Sequence, residues 1–366
     1  MNQHTNRRSA RRLLWKGVAA VGAAALVLTG CAGTTTDNEP GTTGEAEIGV
    51  ALILKTTTNP FFVAMQKGAE EAAAAEGINL TVAAGREDGD EDTQIQAIEN
   101  AISRGDAGIL ITPSGQAVEA ALIKAREAGL YVIALDTPPS SEDAVDITFA
   151  TDNFLAGELI GEWTASALNG DHAVIAMLDL FDDKVVSVDV ARDQGFLTGM
   201  GIDLANPEVI GDEAKTGNYS GGTYTIVGNQ ATQGAEDGGR TAMEFLLSRN
   251  SDINVVYTIN EPAAYGAKAA LDAAGKTDVL IVSVDGGCAG VDGVATGVIG
   301  ATSQQYPLKM AELGIAAIAN LVRTGTTPEV TEGLDFFNTG VALVTDNPAG
   351  GVESIDTAAG SAICWG

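Results

Sequence analysis

The fold of this chain is constrained most by a regular alternation of short apolar runs and longer helical segments, which begins near Glu47. The run Ile48–Leu54 is continuously apolar, as expected for a parallel strand that is buried on both faces. A helical segment follows over residues 60–76, and Gly77 stands where that helix would end. The same change from a short apolar run to a helical pattern recurs to about residue 138. This pattern predicts an α/β fold with a doubly wound parallel sheet.

A second strand–helix series begins after Asn153 and predicts a second lobe that is similar to the first. The expected lobes comprise residues 47–151 plus 307–334 and residues 152–306 plus 335–366. The chain would then cross between them three times, near Thr151, near 305–307 and near 334–338, to form a three-strand hinge. The Gly-rich stretch 216–224 falls outside the alternation and predicts an inserted loop or hairpin.

Polar residues recur at the carboxyl ends of the predicted strands in both halves of the chain. Asp136 follows YVIAL, Asn260 follows VVYTI, Asp285 follows LIVSV and Gln305 follows GATSQ. Each of them could instead cap a helix or shape a turn. Because ligands of open parallel sheets bind at the carboxyl ends of the strands, the repetition predicts one shared cleft between the lobes.

Cys31 ends the string Leu28-Thr29-Gly30-Cys31, which follows five basic residues and an apolar run over residues 18–27. These features predict an export signal over residues 1–30 rather than a membrane span. The ending resembles the lipobox of bacterial lipoproteins, which implies lipidation of Cys31, a flexible linker over residues 31–46 and anchoring to the outer face of the cytoplasmic membrane, or a periplasmic location. A plain secretory signal is the alternative, and export by the Sec or the twin-arginine route stays open.

The chain is strongly acidic, with 49 Asp and Glu against 20 Lys and Arg and a net charge of −29. Such a charge repels nucleic acid and anionic lipid head groups, so a neutral or cationic ligand is favoured. Two histidines, His4 and His172, are too few for a multi-histidine metal site, and we expect no metal and no cofactor. Cys288 and Cys364 are an even pair in an exported chain, which predicts a disulfide; two separate buried thiols are the alternative.

Several segments of the chain together carry a family resemblance. They are TTTNPFFVAMQKGAEEAA, ALDTP, FATDNFLAGELIG, DQGFLTGMGID, NVVYTINEPAAYGA, VSVDGG, IGATSQQYP and ICWG. In this order they resemble the type I periplasmic sugar-binding proteins of ABC importers, of the ribose/galactose kind, and most of all the fructose-binding branch. The resemblance extends from about Ile48 to the C-terminus and implies two similar lobes that close on a sugar.

The resemblance also implies which side chains contact the sugar. The matching positions are Asn59, Phe61, Phe62, Asp136, Asn153, Arg192, Asn260, Asp285 and Gln305. The two phenylalanines match aromatic residues that flank the sugar ring, and Arg192 and Asp285 are expected on opposite walls of the cleft. Thr137 stands where the ribose-binding proteins have a second arginine. Lys55 stands near the position of their small hydroxyl residue, and Gln233-Gly234 stand where they have an aromatic residue in the second lobe. These departures favour a monosaccharide other than ribose.

The expected function is that of an extracytoplasmic solute-binding lipoprotein, a monomer and not an enzyme. It would capture a monosaccharide, with fructose favoured, and deliver it to an ABC permease and its ATPase. A sugar-sensing protein that serves a chemoreceptor or a kinase would need the same fold and pocket. An exported glycoside hydrolase is a further alternative, because Asp136 and Asp285 could act as paired carboxylates. However, the chain has no G-x-S-x-G motif for serine chemistry.

Overall fold

The structure of the protein, a computed structural model, describes residues 47–366, so the expected signal 1–30, Cys31 and the linker 31–46 lie outside it. The strands are β1 Ile48–Leu54, β2 Ile78–Ala84, β3 Gly108–Ile111, β4 Tyr131–Leu135, β5 Ile147–Ala150, β6 Ala173–Asp179, β7 Thr216–Asn218, β8 Thr223–Ala231, β9 Val255–Thr258, β10 Leu280–Asp285, β11 Ala301–Gln304, β12 Phe337–Asn338 and β13 Ala342–Val344. The helices are α1 Pro60–Glu76, α2 Glu91–Arg104, α3 Glu119–Glu127, α4 Asn153–Ala167, α5 Ser187–Met200, α6 Glu236–Arg249, α7 Glu261–Ala273, α8 Cys288–Ala295, α9 Pro307–Thr324 and α10 Thr357–Ile363. Within these described residues, no helix is long and apolar enough to cross a lipid bilayer.

The strands form two sheets, one in each lobe. The first sheet has the order β12-β5-β4-β3-β1-β2, and all of its strands run parallel. The second has the order β13-β11-β10-β9-β6-β8-β7, with a parallel centre and antiparallel edge strands β13 and β7. Helices pack against the sheets and bury their apolar residues. This arrangement confirms the fold class that the alternating pattern predicts.

Helix α1 illustrates how local sequence places functional side chains at a sheet edge. Its first turn follows Asn59, whose side chain accepts a hydrogen bond from the backbone N of Phe61 at 2.9 Å. Pro60 occupies the first helical position, where no backbone donor is needed. The helix ends at Gly77, which adopts a left-handed φ of 64°. As a result, Phe61 and Phe62 lie close to the carboxyl end of β1.

The chain crosses between the two sheets three times, and the crossings form the hinge between the lobes. They occur after β5, after β11 and between β12 and β13. The last comes at 339–341, later than the 334–338 expected from the sequence, because Phe337–Asn338 still pairs with β5 of the first sheet. After the second crossing, α9 packs against α1, and its Met310 and Ile315 join the core cluster that contains Met65 of α1.

The C-terminal tail is fastened to the second lobe and also contacts the first. Cys288 and Cys364 are joined by a disulfide, and the backbone N of Cys288 donates to the carbonyl of Trp365 at 2.8 Å. The Trp365 indole N–H donates to the carbonyl of Gln305 in the second crossing at 2.7 Å. Its ring packs edge-on against Phe61 of the first lobe, with 5.5 Å between ring centroids. The tail therefore reaches the hinge and one wall of the cleft.

The Gly-rich stretch 216–224 forms a hairpin, one of the two outcomes expected from the sequence. Strands β7 and β8 pair antiparallel, and two backbone hydrogen bonds between Tyr219 and Gly222 close the turn. The Tyr219 ring is buried in the core of the second lobe, and its hydroxyl donates to the carbonyl of Asp171 at 2.7 Å. The hairpin thus completes one edge of the second sheet.

Four carboxyl groups are buried together in the second lobe, next to the loop that follows β6. Asp179, Asp189, Asp193 and Glu213 are each at most 4% exposed. Asp189 fixes the loop by accepting a hydrogen bond from the backbone N of Leu180 at 2.8 Å. Burial raises the pKa of Asp179 to about 8, and burial together with the nearby charge of Asp179 holds the pKa of Asp193 well above its ordinary range. The folded protein therefore retains a proton here at neutral pH.

We predict that this retained proton makes the wild-type fold less stable as the pH rises. Unfolded aspartates lose their protons near pH 4, whereas the folded cluster keeps one until about pH 8. Stability should therefore fall across that interval, because the folded state binds more protons than the unfolded state. Asp193→Asn, which supplies a permanent N–H donor, should flatten the fall in the midpoint of thermal unfolding between pH 5 and pH 8. Asp278→Asn, at an exposed aspartate, is the control, and parallel profiles for the wild type and Asp193→Asn would contradict the prediction.

Candidate functional site

Residues at the carboxyl ends of strands in both sheets line one inner cavity between the lobes. The lining residues are Lys55, Asn59, Phe61, Phe62, Asp88, Asp136, Leu180, Val188, Arg192, Ile259, Asn260, Asp285 and Gln305. The structure thus brings together all of the site residues expected from the sequence except Asn153. Charged, amide and aromatic side chains converge on the same small space.

Arg192 links the two lobes at the cavity. Its Nη2 lies 3.6 Å from Oδ1 of Asp136 in the first lobe, and both side chains are 5% exposed. Two further bonds orient the guanidinium: Nε donates to Oδ1 of Asn153 at 2.8 Å, and Nη1 donates to the carbonyl of Ile259 at 3.0 Å. Asn153 also donates to the carbonyl of Thr151 in the first crossing at 3.1 Å. Asn153 therefore positions Arg192 and does not itself line the cavity.

Asp285 contributes a second carboxylate, from the end of β10. Its Oδ1 accepts a hydrogen bond from Nε2 of Gln305 at 2.8 Å. Burial raises the pKa of Asp285 to about 6, against the opposing effect of the Arg192 charge. Arg192 and Asp285 both belong to the second lobe, so the expectation that they occupy opposite walls is wrong. The carboxylate that faces Arg192 from the other lobe is Asp136.

The backbone is unusual at both cavity aspartates. Asp136 has a φ of 64° and Asp285 a φ of 146°, in the positive region that side-chain-bearing residues rarely adopt. Neighbouring groups hold these conformations in place. Glu261, buried behind Asp285, accepts hydrogen bonds from the backbone N of Gly286 at 2.8 Å and of Gly287 at 3.2 Å. Backbone strain that the surroundings maintain is typical of functional sites.

The cavity presents hydrogen-bond acceptors that remain open. Oδ1 of Asp136, Oδ1 of Asp88 and Oε1 of Gln305 are closed to solvent and accept no hydrogen bond from any described residue. Arg192 is the nearest cation to Asp136, but at 3.6 Å it lies beyond an ordinary hydrogen bond. Buried acceptors of this kind require donors. A ligand with several hydroxyl groups would supply them.

Aromatic and amide groups complete the wall of the cavity. Phe61 and Phe62 pack edge to face with 5.3 Å between ring centroids, and both are less than 5% exposed. Asn59 uses its amide oxygen to cap α1, which leaves its amide nitrogen as a donor at the cavity. Asn260 caps α7 through its oxygen and donates to the carbonyl of Gly234 at 3.0 Å, so its amide is largely committed to the protein.

Two charged residues of the cavity, Lys55 and Asp88, are missing from the site expected from the sequence. Lys55 follows directly after β1, so the strand-end rule that selected Asp285 could have selected it. Asp88 lies in the loop between β2 and α2. No strand or helix pattern in this loop could identify it from the sequence as a site residue. Only the folded chain brings it to the cavity.

A larger outer cavity of about 850 Å³ lies next to the inner one. The two share Asn59, Asp88 and Asp285 as lining residues. The outer cavity is also lined by Trp365 of the C-terminal tail and by the exposed residue Gln233. These shared residues mark the mouth through which a ligand would reach the inner cavity.

Comparison with known proteins is consistent with this geometry. The family profile described as periplasmic binding protein domain matches residues 50–327. The ribose import binding protein of Salmonella typhimurium is 27% identical over 73% of this chain and 82% of its own length. The D-apiose import binding protein of Actinobacillus succinogenes is 29% identical over 76% and 83%. A solved ABC transporter solute binding protein from Agrobacterium vitis with bound D-fucose has a TM-score of 0.69 and 26% identity over 81% of this chain and 95% of that one.

We predict that Arg192→Ala and Asp285→Ala each weaken binding of the preferred monosaccharide by about 2–4 kcal/mol, roughly 30- to 1,000-fold. Each change would remove a buried charged partner of the sugar hydroxyls from the cavity. Isothermal titration would measure the loss, and thermal unfolding would check that the variants remain folded. Arg240→Ala, at an exposed arginine paired with Glu244, should bind normally. Near wild-type affinity in both cavity variants would contradict the site.

Proposed function

The chain belongs to the periplasmic binding protein family, and we propose that it is an exported binding protein which captures a monosaccharide between its lobes for an ABC importer. The sugar would pass to a membrane permease driven by its ATPase. The protein would act as a monomer, and its role would be binding rather than catalysis. The relatives described above are themselves named as import binding proteins.

The observation that carries this proposal is the convergence of open acceptors, charged donors and aromatic rings in one buried cavity. A sugar hydroxyl can donate to Asp136 or Asp285 and accept from Arg192. Bonds of this kind to charged groups are worth about 1.5–3 kcal/mol each, and an unmade buried bond costs about 1–3 kcal/mol. Phe61 and Phe62 can cover the apolar C–H faces of the ring. Such a cavity would reject epimers, because a misplaced hydroxyl leaves its polar groups unpaired.

Fructose is the favoured ligand, on the basis of sequence resemblance. The segments around Asn59, Asp136 and Asp285 resemble the fructose-binding branch. Thr137 stands where the ribose-binding proteins have a second arginine. Gln233-Gly234 stand where those proteins have an aromatic residue in the second lobe. Two related proteins are named as ribose and D-apiose import binding proteins. These two sugars, together with allose, galactose and xylose, should therefore be tested beside fructose.

Direct contacts between the lobes indicate how ligand capture would work. Oγ of Ser187 in the second lobe donates to the carbonyl of Pro138 in the first at 2.6 Å. Nζ of Lys184 donates to the carbonyl of Gly89 at 3.1 Å. Together with the Arg192–Asp136 pair, these contacts hold the lobes over the inner cavity. We propose that the lobes separate about the three crossings to admit the sugar and then close on it.

The protein would work outside the cytoplasm, anchored through a lipid on Cys31. This proposal rests on the basic start, the short apolar run and the lipobox-like string in the sequence. One acyl chain holds a protein to a bilayer only weakly, so firm anchoring needs more than one chain. The linker 31–46, rich in small polar residues, would let the lobes reach the permease.

Titration calorimetry of the mature chain against a panel of monosaccharides would test the proposed function. We expect D-fructose to bind most tightly of a panel that also contains ribose, allose, galactose and xylose. Small-angle scattering should show a smaller radius of gyration at saturating sugar, because the lobes close. If another monosaccharide binds more tightly, that sugar replaces fructose as the proposed ligand, and the proposed function as a sugar-binding protein stands. Failure of every monosaccharide to bind would contradict it.

A further inference from the structure

We propose that Trp365, in the C-terminal tail, is a positioning residue that holds the Phe61 ring in the orientation a sugar requires, an inference that rests on the proposed function. Phe61 lines the inner cavity, whereas Trp365 lines the outer one. The two rings pack edge to face, with 5.5 Å between their centroids and 77° between their planes. Trp365 therefore acts on a sugar in the inner cavity through Phe61 and not by direct contact.

The tail fixes the backbone of Trp365 by a covalent bond and a hydrogen bond. Residues beyond the last helix of a domain are poorly ordered unless they are tied down. Here Cys364, the residue before Trp365, is joined by the disulfide to Cys288 at the start of α8. The backbone N of Cys288 also donates to the carbonyl of Trp365 at 2.8 Å. The disulfide therefore determines where the tryptophan stands.

The indole ring of Trp365 is oriented by the hinge and by the turn after β10. Its Nε1–H donates to the carbonyl of Gln305, in the second crossing, at 2.7 Å. The ring also lies against Gly287, where an added Cβ atom would be 3.3 Å from the ring carbons Cζ3 and Cη2. The residue is 7% exposed. Because both its backbone and its ring are fixed, Trp365 presents a rigid surface to Phe61.

Phe61 receives aromatic contacts from two sides that differ in origin. Phe62 belongs to the same helix, α1, so its contact with Phe61 moves with that helix. Trp365 comes from a tail that is fastened to the second lobe, yet its ring belongs to the buried apolar cluster of the first lobe. Since aromatic pairs favour edge-to-face geometry, a fixed Trp365 ring sets the angle of the Phe61 ring. That angle decides whether Phe61 can cover the C–H face of a sugar.

Loss of the indole would affect sugar binding and not only the fold. Without the ring, Phe61 would have free space beside it and could turn away from the sugar, because a buried cavity relaxes only in part. The carbonyl of Gln305 would also lose its donor. An indole that merely fills the core would behave differently, since its removal would lower the stability of the fold and leave the affinity for sugar unchanged.

The test compares Trp365→Ala and Trp365→Phe with wild type by titration calorimetry, with the tightest-binding sugar of the monosaccharide panel as the probe. We expect Trp365→Ala to bind about 10- to 100-fold more weakly, because Phe61 loses the ring that orients it. Trp365→Phe keeps an aromatic ring and should recover most of that loss. Ile363→Ala, at an exposed residue two positions earlier in the chain, is the matched control and should bind normally. Thermal unfolding checks that each variant is folded before it is titrated.

A double-mutant cycle with Phe61→Ala tests whether Trp365 acts through that ring. Once Phe61 is absent, Trp365→Ala should cost little further affinity, so the two losses should not multiply. Joint replacement of the disulfide, Cys288→Ser with Cys364→Ser, should weaken binding by a smaller factor, about 3- to 10-fold. The indole keeps its hydrogen bond to Gln305 in that variant, but its backbone is no longer tied to α8.

The outcomes separate this inference from the proposed function. If Trp365→Ala binds within about threefold of wild type while Arg192→Ala is impaired, the positioning role is overturned and the proposed function stands. Losses that multiply in the cycle would also overturn it, because Trp365 would then act by another route than Phe61. If Trp365→Ala does not fold, the double-serine variant takes its place in the cycle with Phe61→Ala. If wild type binds no monosaccharide, both the positioning role and the proposed function fail.

Discussion

Buried hydrogen-bond acceptors without donors are the constraint on which the cavity depends. Within the described part of the chain, Oδ1 of Asp136, Oδ1 of Asp88 and Oε1 of Gln305 have no hydrogen-bond partner. Each unmet acceptor costs about 1–3 kcal/mol in a dry site, and in the open form water would satisfy it. The closed form therefore gains its full stability only with a ligand that carries several hydroxyl donors. In the proposed closing of the lobes, binding and closure would be coupled through these acceptors.

The protein holds these acceptors in place at the expense of regular backbone geometry. Asp136 and Asp285 adopt positive φ values that most side-chain-bearing residues avoid. Glu261 secures the turn after Asp285 by accepting hydrogen bonds from Gly286 and Gly287. A site fixed in this way needs little reorganisation when it closes on a ligand, so less of the binding energy is lost to ordering side chains.

The sequence predicts the fold and most of the cavity, because parallel strands carry their ligand-binding groups at one end. Asp285 was identified by that rule, and Lys55 follows the same rule at the end of β1. Asp88 lies in a loop without periodicity, so only the tertiary structure brings it to the cavity. The direction of the Asn153 side chain, toward Arg192, depends on packing between α4 and α5. The two-residue strand Phe337–Asn338 is too short to leave a pattern, which is why the third crossing was expected too early.

A crystal structure of the mature chain with its tightest monosaccharide would test the central claim most directly. We predict one sugar in the inner cavity, with its hydroxyls bonded to Asp136, Asp285 and Arg192 and its ring against Phe61 or Phe62. The open acceptor of Gln305 should gain a donor from the sugar or from a water bound to it. A sugar held only in the outer cavity, with the inner acceptors still unpaired, would contradict the account.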